Sequence, residues 1–279
     1  MRSNTRPPPS RSTCSAQSTY TLSVSSKSIL VVGASRGIGR ALVFDFAARG
    51  FSVCGVTRSG DGPQIPGVDW VAGDVTAVHS LIPANAWLEA CKGPRLVLVC
   101  AASAGPRGAI ESVNLHDWKS AIEVNVLGLA NVLHVLLPSL GSSDSLFAFL
   151  GGGIGGPHPL LDSSAYTASK AAVAALVEAV GRSQTSDDPS IIGISPGSFP
   201  TELARRTGVH NEVIDQVDVS VLSEFLVTIV SEDCHRWSGR CLSPNRDNLS
   251  ALLEINESDL DSLRMRRVDG GSIVSAGLW

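Results

Sequence analysis

Short apolar runs alternate with longer stretches in which apolar residues recur every three or four positions, from near residue 28 through most of the chain. The first run, Ser28-Ile29-Leu30-Val31-Val32, is apolar without alternation, as a strand buried on both faces requires. Runs of this kind predict strands at 29–33, 52–56, 68–72, 95–101, 145–150, 190–195 and 239–243. Helical spacing predicts helices at 37–49, 77–82, 85–91, 115–139, 163–184, 201–206 and 218–230. Strand then helix, repeated, implies βαβ units and a doubly wound parallel sheet, a Rossmann-like α/β fold in a single domain. Ligands of such sheets bind beyond the carboxyl ends of the strands, so the loops after strands are where chemistry is expected.

The two ends of the chain read differently. Residues 1–27 are rich in Ser, carry Arg2, Arg6, Arg11, Lys27 and the run Pro7-Pro8-Pro9, and contain no Asp or Glu. They are expected to be a disordered or targeting tail. The main domain spans 28–245, and 246–279 forms a C-terminal extension, with a polar helix near 247–266, that is a candidate lid on the substrate side.

The 279 residues are 43% hydrophobic and 17% charged with net charge −4, enough for one sizeable core and no argument for a nucleic-acid partner. No apolar run reaches the roughly 20 residues of a membrane span. The six cysteines show no Cys-x-x-Cys pair, so neither a disulfide framework nor a metal site is expected. The expected location is the cytoplasm, or an organelle if residues 1–28 act as a transit peptide.

Val31-Val32-Gly33-Ala34-Ser35-Arg36-Gly37-Ile38-Gly39 follows the first strand and opens a helix. Backbone N–H groups at such a helix start converge on one spot that suits a pyrophosphate. Gly33 serves the tight turn, Gly37 the approach of a phosphate and Gly39 the packing of helix on strand. In Ser164-Ala165-Tyr166-Thr167-Ala168-Ser169-Lys170, Tyr166 and Lys170 are four apart and share a helix face. An ammonium beside a phenol favours the phenolate, so the pair can move a proton to or from an alcohol or carbonyl oxygen.

Together these two motifs resemble the short-chain dehydrogenase/reductase family over about residues 28–245. Three further stretches agree: Gly73-Asp74-Val75 after the third strand, Glu123-Val124-Asn125-Val126 in the long helix, and Pro196-Gly197-Ser198-Phe199-Pro200-Thr201. The resemblance implies a dinucleotide held by Gly33, Ser35, Arg36, Gly37, Ile38 and Gly39. It places Asp74 and Val75 near the adenine, with Ala101 and Ala102, Pro196, Gly197, Phe199 and Thr201 along the nicotinamide half. Tyr166 and Lys170 would act on both cofactor and substrate, with Asn125 sustaining a water-linked proton path. It also implies a homodimer or homotetramer built on helices 115–139 and 163–184.

The second strand ends in Thr57-Arg58-Ser59 with no carboxylate until Asp61, where NAD specificity would want one. Arg58, aided by Arg36, would instead meet a 2′-phosphate, so NADP is the expected cofactor. Two departures stand out. The loop after the fourth strand reads Cys100-Ala101-Ala102-Ser103 instead of the family's Asn-Asn-Ala-Gly. Counting back from Tyr166 to the family's catalytic serine lands on Gly152, Gly153 or Ile154. Backbone N–H groups of that glycine run, Ser163, Ser164, His158 or Ser103 are the candidates to supply the lost donor. The leading expectation is an NADP-dependent oxidoreductase acting on a carbonyl or secondary alcohol of a small molecule. A non-redox isomerisation, cyclisation or elimination in the same site, and a non-catalytic binding protein, stay open on the sequence.

Overall fold

The computed structural model describes residues 27–151, 160, 162–197, 199–207, 218–230, 234–244, 247, 249–256 and 260. Strands β1 (Ser28–Val32), β2 (Ser52–Thr57), β3 (Val68–Ala72), β4 (Arg95–Val99), β5 (Ser145–Phe149), β6 (Ser190–Ile194) and β7 (Cys241–Leu242) form one sheet in the order 3-2-1-4-5-6-7. Every pairing is parallel. The doubly wound α/β fold read from the alternation is therefore the fold observed.

The unbroken apolar runs have a simple cause. Successive side chains of a strand face opposite sides of the sheet, and both sides are buried. Ile29 and Val31 join the core beneath α1 (Gly37–Ala48) and α7 (Val219–Ile229), with Leu42, Phe46, Phe225 and Leu226. Leu30 and Val32 join the opposite core with Leu88 of α2 (Ile82–Ala90), Val132 of α4 (Gly128–Leu136) and Val173 of α5 (Ser164–Ser183). Strand order reverses at β1, between β2 and β4, and this opens the cleft where the first glycine turn lies.

Element boundaries differ from the reading at several places. The fourth strand stops at Val99, two residues short of the reading, although Cys100 N still donates to Val32 O at 2.8 Å. The short helix expected at 77–82 is a tight 3₁₀ turn (Val78–Leu81) running directly into α2, whose Pro83 is tolerated in the first turn. The long helix is built of α3 (Leu115–Ile122), a wider π turn (Glu123–Leu127), α4 and a closing 3₁₀ turn (Leu137–Ser139). This 25-residue stretch is long and apolar enough to match a membrane span, against the reading of the runs. Its Leu129, Val132, Leu133 and Leu136 are buried in the core against the sheet.

The polar helix expected near 247–266 is α8 (Leu249–Glu254), following α6 (Glu202–Thr207) and α7 in the chain. Arg236 donates to Ile255 O, and Arg240 Nε donates to Leu260 O at 3.0 Å. Both arginines precede β7, so the described part of the extension runs to the end of the sheet opposite the carboxyl ends. The tail up to residue 26 and all of 261–279, the larger part of the extension expected as a lid, lie outside the described residues.

Candidate active site

The carboxyl ends of β1, β4, β5 and β6 bring the sequence motifs together. Gly33 takes φ +88°, and a Cβ there would come within 2.5 Å of Ala101 N. Only glycine lets the turn after β1 press on the loop after β4 in this way. Gly37 takes φ +59° and faces Thr201 Cγ2 across an otherwise open side. A Cβ on Gly39 would overlap Gly33 O, which accounts for its place at the helix–strand contact. Ser35, Arg36 and Gly37 are exposed, and α1 begins without a side-chain cap or an acidic residue in its first turn. Its free N–H groups and positive dipole end form a cradle that fits the diphosphate of a dinucleotide; Ile38 is half-buried behind it.

The flanking candidates are placed as follows. Arg58 is exposed at the end of β2 and makes no side-chain hydrogen bond or ion pair with the described residues. Arg36 instead reaches across to the start of α6, where Nη1 meets Glu202 Oε2 at 2.8 Å. Asp74 Oδ1 accepts from Thr76 N at 2.9 Å and Thr76 Oγ1 at 2.8 Å, and Val75 is buried with its carbonyl accepting from Asn131 Nδ2. Ala101 and Ala102 are half-buried, Pro196 and Phe199 are buried, and Gly197 turns the chain at φ +85°. Thr201 Oγ1 accepts from Ala204 N at 3.1 Å and so opens α6.

Tyr166 and Lys170 lie side by side on the buried face of α5, 4% and 3% exposed. Lys170 Nζ donates to Phe149 O at 2.8 Å and sits 5.8 Å from the centre of the tyrosine ring. Burial holds the Lys170 ammonium down to about 8, with Cys100 opposing weakly, and pushes the Tyr166 phenol well above its ordinary range. The expectation that the ammonium lowers the phenol's pKa therefore does not describe this arrangement. The amine is tied to the strand carbonyl beside the ring, and desolvation governs.

A stability prediction follows from Lys170. The folded chain releases this proton near pH 8, the unfolded chain near 10.5. Below about 8 the burial cost is complete. Between the two values the unfolded state binds more protons, so stability rises with pH. Tyr166 acts with the opposite sign only above its unfolded value of about 10. Cys54, Cys100 and Cys241, whose thiols burial pushes up from about 9, act with the opposite sign from about pH 9 upward. Denaturant titrations should therefore show the Lys170 contribution as a wild-type minus Lys170→Met difference in stability that rises between pH 8 and 10.

Asn125 sits in the π turn, buried, and its amide closes a two-point clamp on the loop after β4. Oδ1 accepts from Ser103 N at 2.7 Å, and Nδ2 donates to Ser103 O at 2.9 Å. Nδ2 also donates to Ser169 Oγ at 2.8 Å, which ties the clamp to the helix of Tyr166. The side chain thus orders the loop whose own asparagines are missing. Between it and Lys170 lies a small cavity of about 10 Å³, lined also by Ala101, Gly128 and Phe149. That is about the room one water needs.

Of the candidates for the missing donor, Ser163 Oγ donates to Thr207 O, Ser164 Oγ accepts from Trp118 Nε1, and Ser103 Oγ accepts from Gly105 N. Ser163 spends its proton in this contact, whereas the hydroxyls of Ser164 and Ser103 accept in theirs and keep a proton to donate. Gly152, Gly153, Ile154 and His158 lie outside the described residues. Three contributors escaped the sequence reading: the carbonyl of Phe149, Glu202, and Gly151, which lies against the Tyr166 hydroxyl. A main-chain acceptor leaves no mark in sequence. Gly151 was visible only as the first member of a glycine run.

A seven-stranded parallel sheet with a glycine turn at its reversal point and a buried Tyr–Lys pair at the carboxyl ends defines a dinucleotide-type α/β enzyme. The family model described as short chain dehydrogenase matches residues 27–212, and the chain belongs to that oxidoreductase family. The acetoacetyl-CoA reductase of Shinella zoogloeoides is 25% identical over 236 residues, covering 79% of this chain and 97% of its own. The NADPH-dependent pterin aldehyde reductase of Arabidopsis thaliana is 27% identical over 192 residues, covering 64% and 78%. The structure of the 3-ketoacyl-(acyl-carrier-protein) reductase from Brucella melitensis complexed with NADH shares the fold. Its TM-score is 0.68 at 18% identity, over 79% of this chain and 97% of that one.

Proposed function

We propose that this protein is an NADP-dependent reductase of a small carbonyl compound, with Tyr166 as proton donor. The observation that carries the reading is the buried Tyr166–Lys170 pair at the carboxyl ends of the sheet, on the same side as the open start of α1. A nicotinamide dinucleotide bound there supplies the hydride. Tyr166 gives its proton to the carbonyl oxygen as that oxygen gains charge. A phenol kept protonated by burial suits that direction over alcohol oxidation. Lys170, aimed by Phe149 O, presents its charge beside the ring, and one water beside Lys170 and Asn125 would return the proton. Gly33, Ser35, Gly37, Ile38 and Gly39 hold the diphosphate, and Asp74 and Val75 border the adenine. Ala101, Ala102, Pro196, Gly197, Phe199 and Thr201 border the nicotinamide half. The exposed Leu127 on the long helix supports a homodimer or homotetramer.

NADP over NAD is supported by Arg58, which has no side-chain partner among the described residues, and by the lack of a carboxylate at the end of β2. The relative from Arabidopsis thaliana is named for the same cofactor. The test is to follow nicotinamide absorbance while the full chain meets aldehydes and ketones with NADPH or NADH. NADPH oxidation matched by alcohol formation is the expected result; substrate conversion with no cofactor consumed points to the non-redox reading. Arg58→Asp is expected to weaken NADPH binding about 10- to 100-fold and to leave NADH binding nearly unchanged. An equal loss for both cofactors in a binding titration would remove Arg58 from the 2′-phosphate.

A further inference from the structure

Gly151 lies two residues beyond Phe149, where the chain leaves β5. A Cβ built on it would overlap the Tyr166 hydroxyl oxygen and come within 2.6 Å of Cζ and 3.1 Å of Cε1 of the same ring. Gly151 is not one of the glycines with positive φ. Its backbone therefore accepts any residue, and what demands glycine is space alone.

The ring is fixed from its other sides as well. Ala165, Ser169 and Lys170, its neighbours on α5, are buried. The amine of Lys170 is held by Phe149 O. The end of β5 and the chain leaving it thus locate both members of the pair, position 149 through its carbonyl and position 151 through the side chain it does not have.

We propose that Gly151 is a positioning residue for the proton donor: the space left by its missing side chain is the seat of the Tyr166 hydroxyl, so the end of β5 sets where the proton is delivered. The catalytic consequence rests on the acid role proposed above; the seat itself does not. A methyl group at 151 forces the ring out of the seat or bends the strand end. A displacement of about 1 Å at a reacting group can cost about 100-fold in rate.

The chain has two tyrosines, so in a Tyr20→Phe background the near-ultraviolet tyrosinate signal reports Tyr166 alone. The charged neighbour of the phenol is Lys170 on its own helix, itself coupled to Cys100 on the loop after β4. Gly151→Ala is expected to move the ring toward water and to lower the titration midpoint by about one pH unit or more. With NADPH and a simple ketone, kcat should fall about 100-fold while the KM for NADPH stays constant. If Gly151→Ala unfolds too readily for titration, melting curves decide. The substitution should lower Tm in the chain carrying Tyr166 and leave it unchanged in a Tyr166→Ala background, where the seat is empty of the ring. An unchanged titration midpoint, or the same loss of Tm in both backgrounds, overturns the proposal. Full turnover by Tyr166→Phe would instead sink the acid role and leave the seat to be judged by titration and melting.

Discussion

Tyr166→Phe is expected to lower turnover by about 10²- to 10⁴-fold, the usual contribution of a positioned general acid, while NADPH binding changes little. The substitution removes one oxygen from a ring that is 4% exposed and leaves Lys170 bonded to Phe149 O. The helix face keeps its packing, and the lost function is the proton alone. Steady-state rates at saturating ketone, beside a fluorescence titration of NADPH, separate the two effects. Unchanged kcat would mean that another group delivers the proton. A parallel loss of cofactor affinity would mean that the phenol chiefly holds the ribose.

Asp144→Ala is expected to cost about 3–5 kcal/mol of stability, the range for removing one partner of a buried ion pair. Asp144 is 1% exposed and stands just before β5. Its Oδ1 accepts from Arg95 N at 2.6 Å and Arg95 Nε at 3.2 Å. Oδ2 accepts from Arg95 Nη2 at 2.6 Å and Gly141 N at 2.8 Å. One carboxylate therefore pins the start of β4 to the turn before β5, and its loss strands a half-buried guanidinium and two main-chain donors. Denaturant unfolding should show the midpoint falling with an unchanged slope. Asp144→Asn should lie between, because its amide keeps one acceptor for Arg95 N. A change below about 1 kcal/mol would show that water replaces the carboxylate's partners.

The resemblance in the sequence led to Asn125 as part of a proton path; the structure adds a different duty, since both ends of its amide hold Ser103. Arg36 was read as an aid to a 2′-phosphate, yet a glutamate far along the chain engages it. In both cases the residue type was legible and its partner was not, because the partner arrives from a distant part of the chain, the start of α6 for Arg36 and the loop after β4 for Asn125. The continuous helix read at 115–139 hides its π turn for the same reason. Nothing local marks Glu123–Leu127; the wider turn coincides with the buried clamp on a distant loop.

By itself the sequence determined the elements, the parallel sheet, the glycine turn and the spacing of Tyr166 and Lys170. These depend on local periodicity and on steric needs that a single residue type satisfies. Only the tertiary structure decided how the pair is oriented and how it is charged. The Phe149 carbonyl, the space at Gly151 and the depth of burial all come from packing β5 against α5. Desolvation and distance, which set a proton's affinity, exist only once those two elements meet.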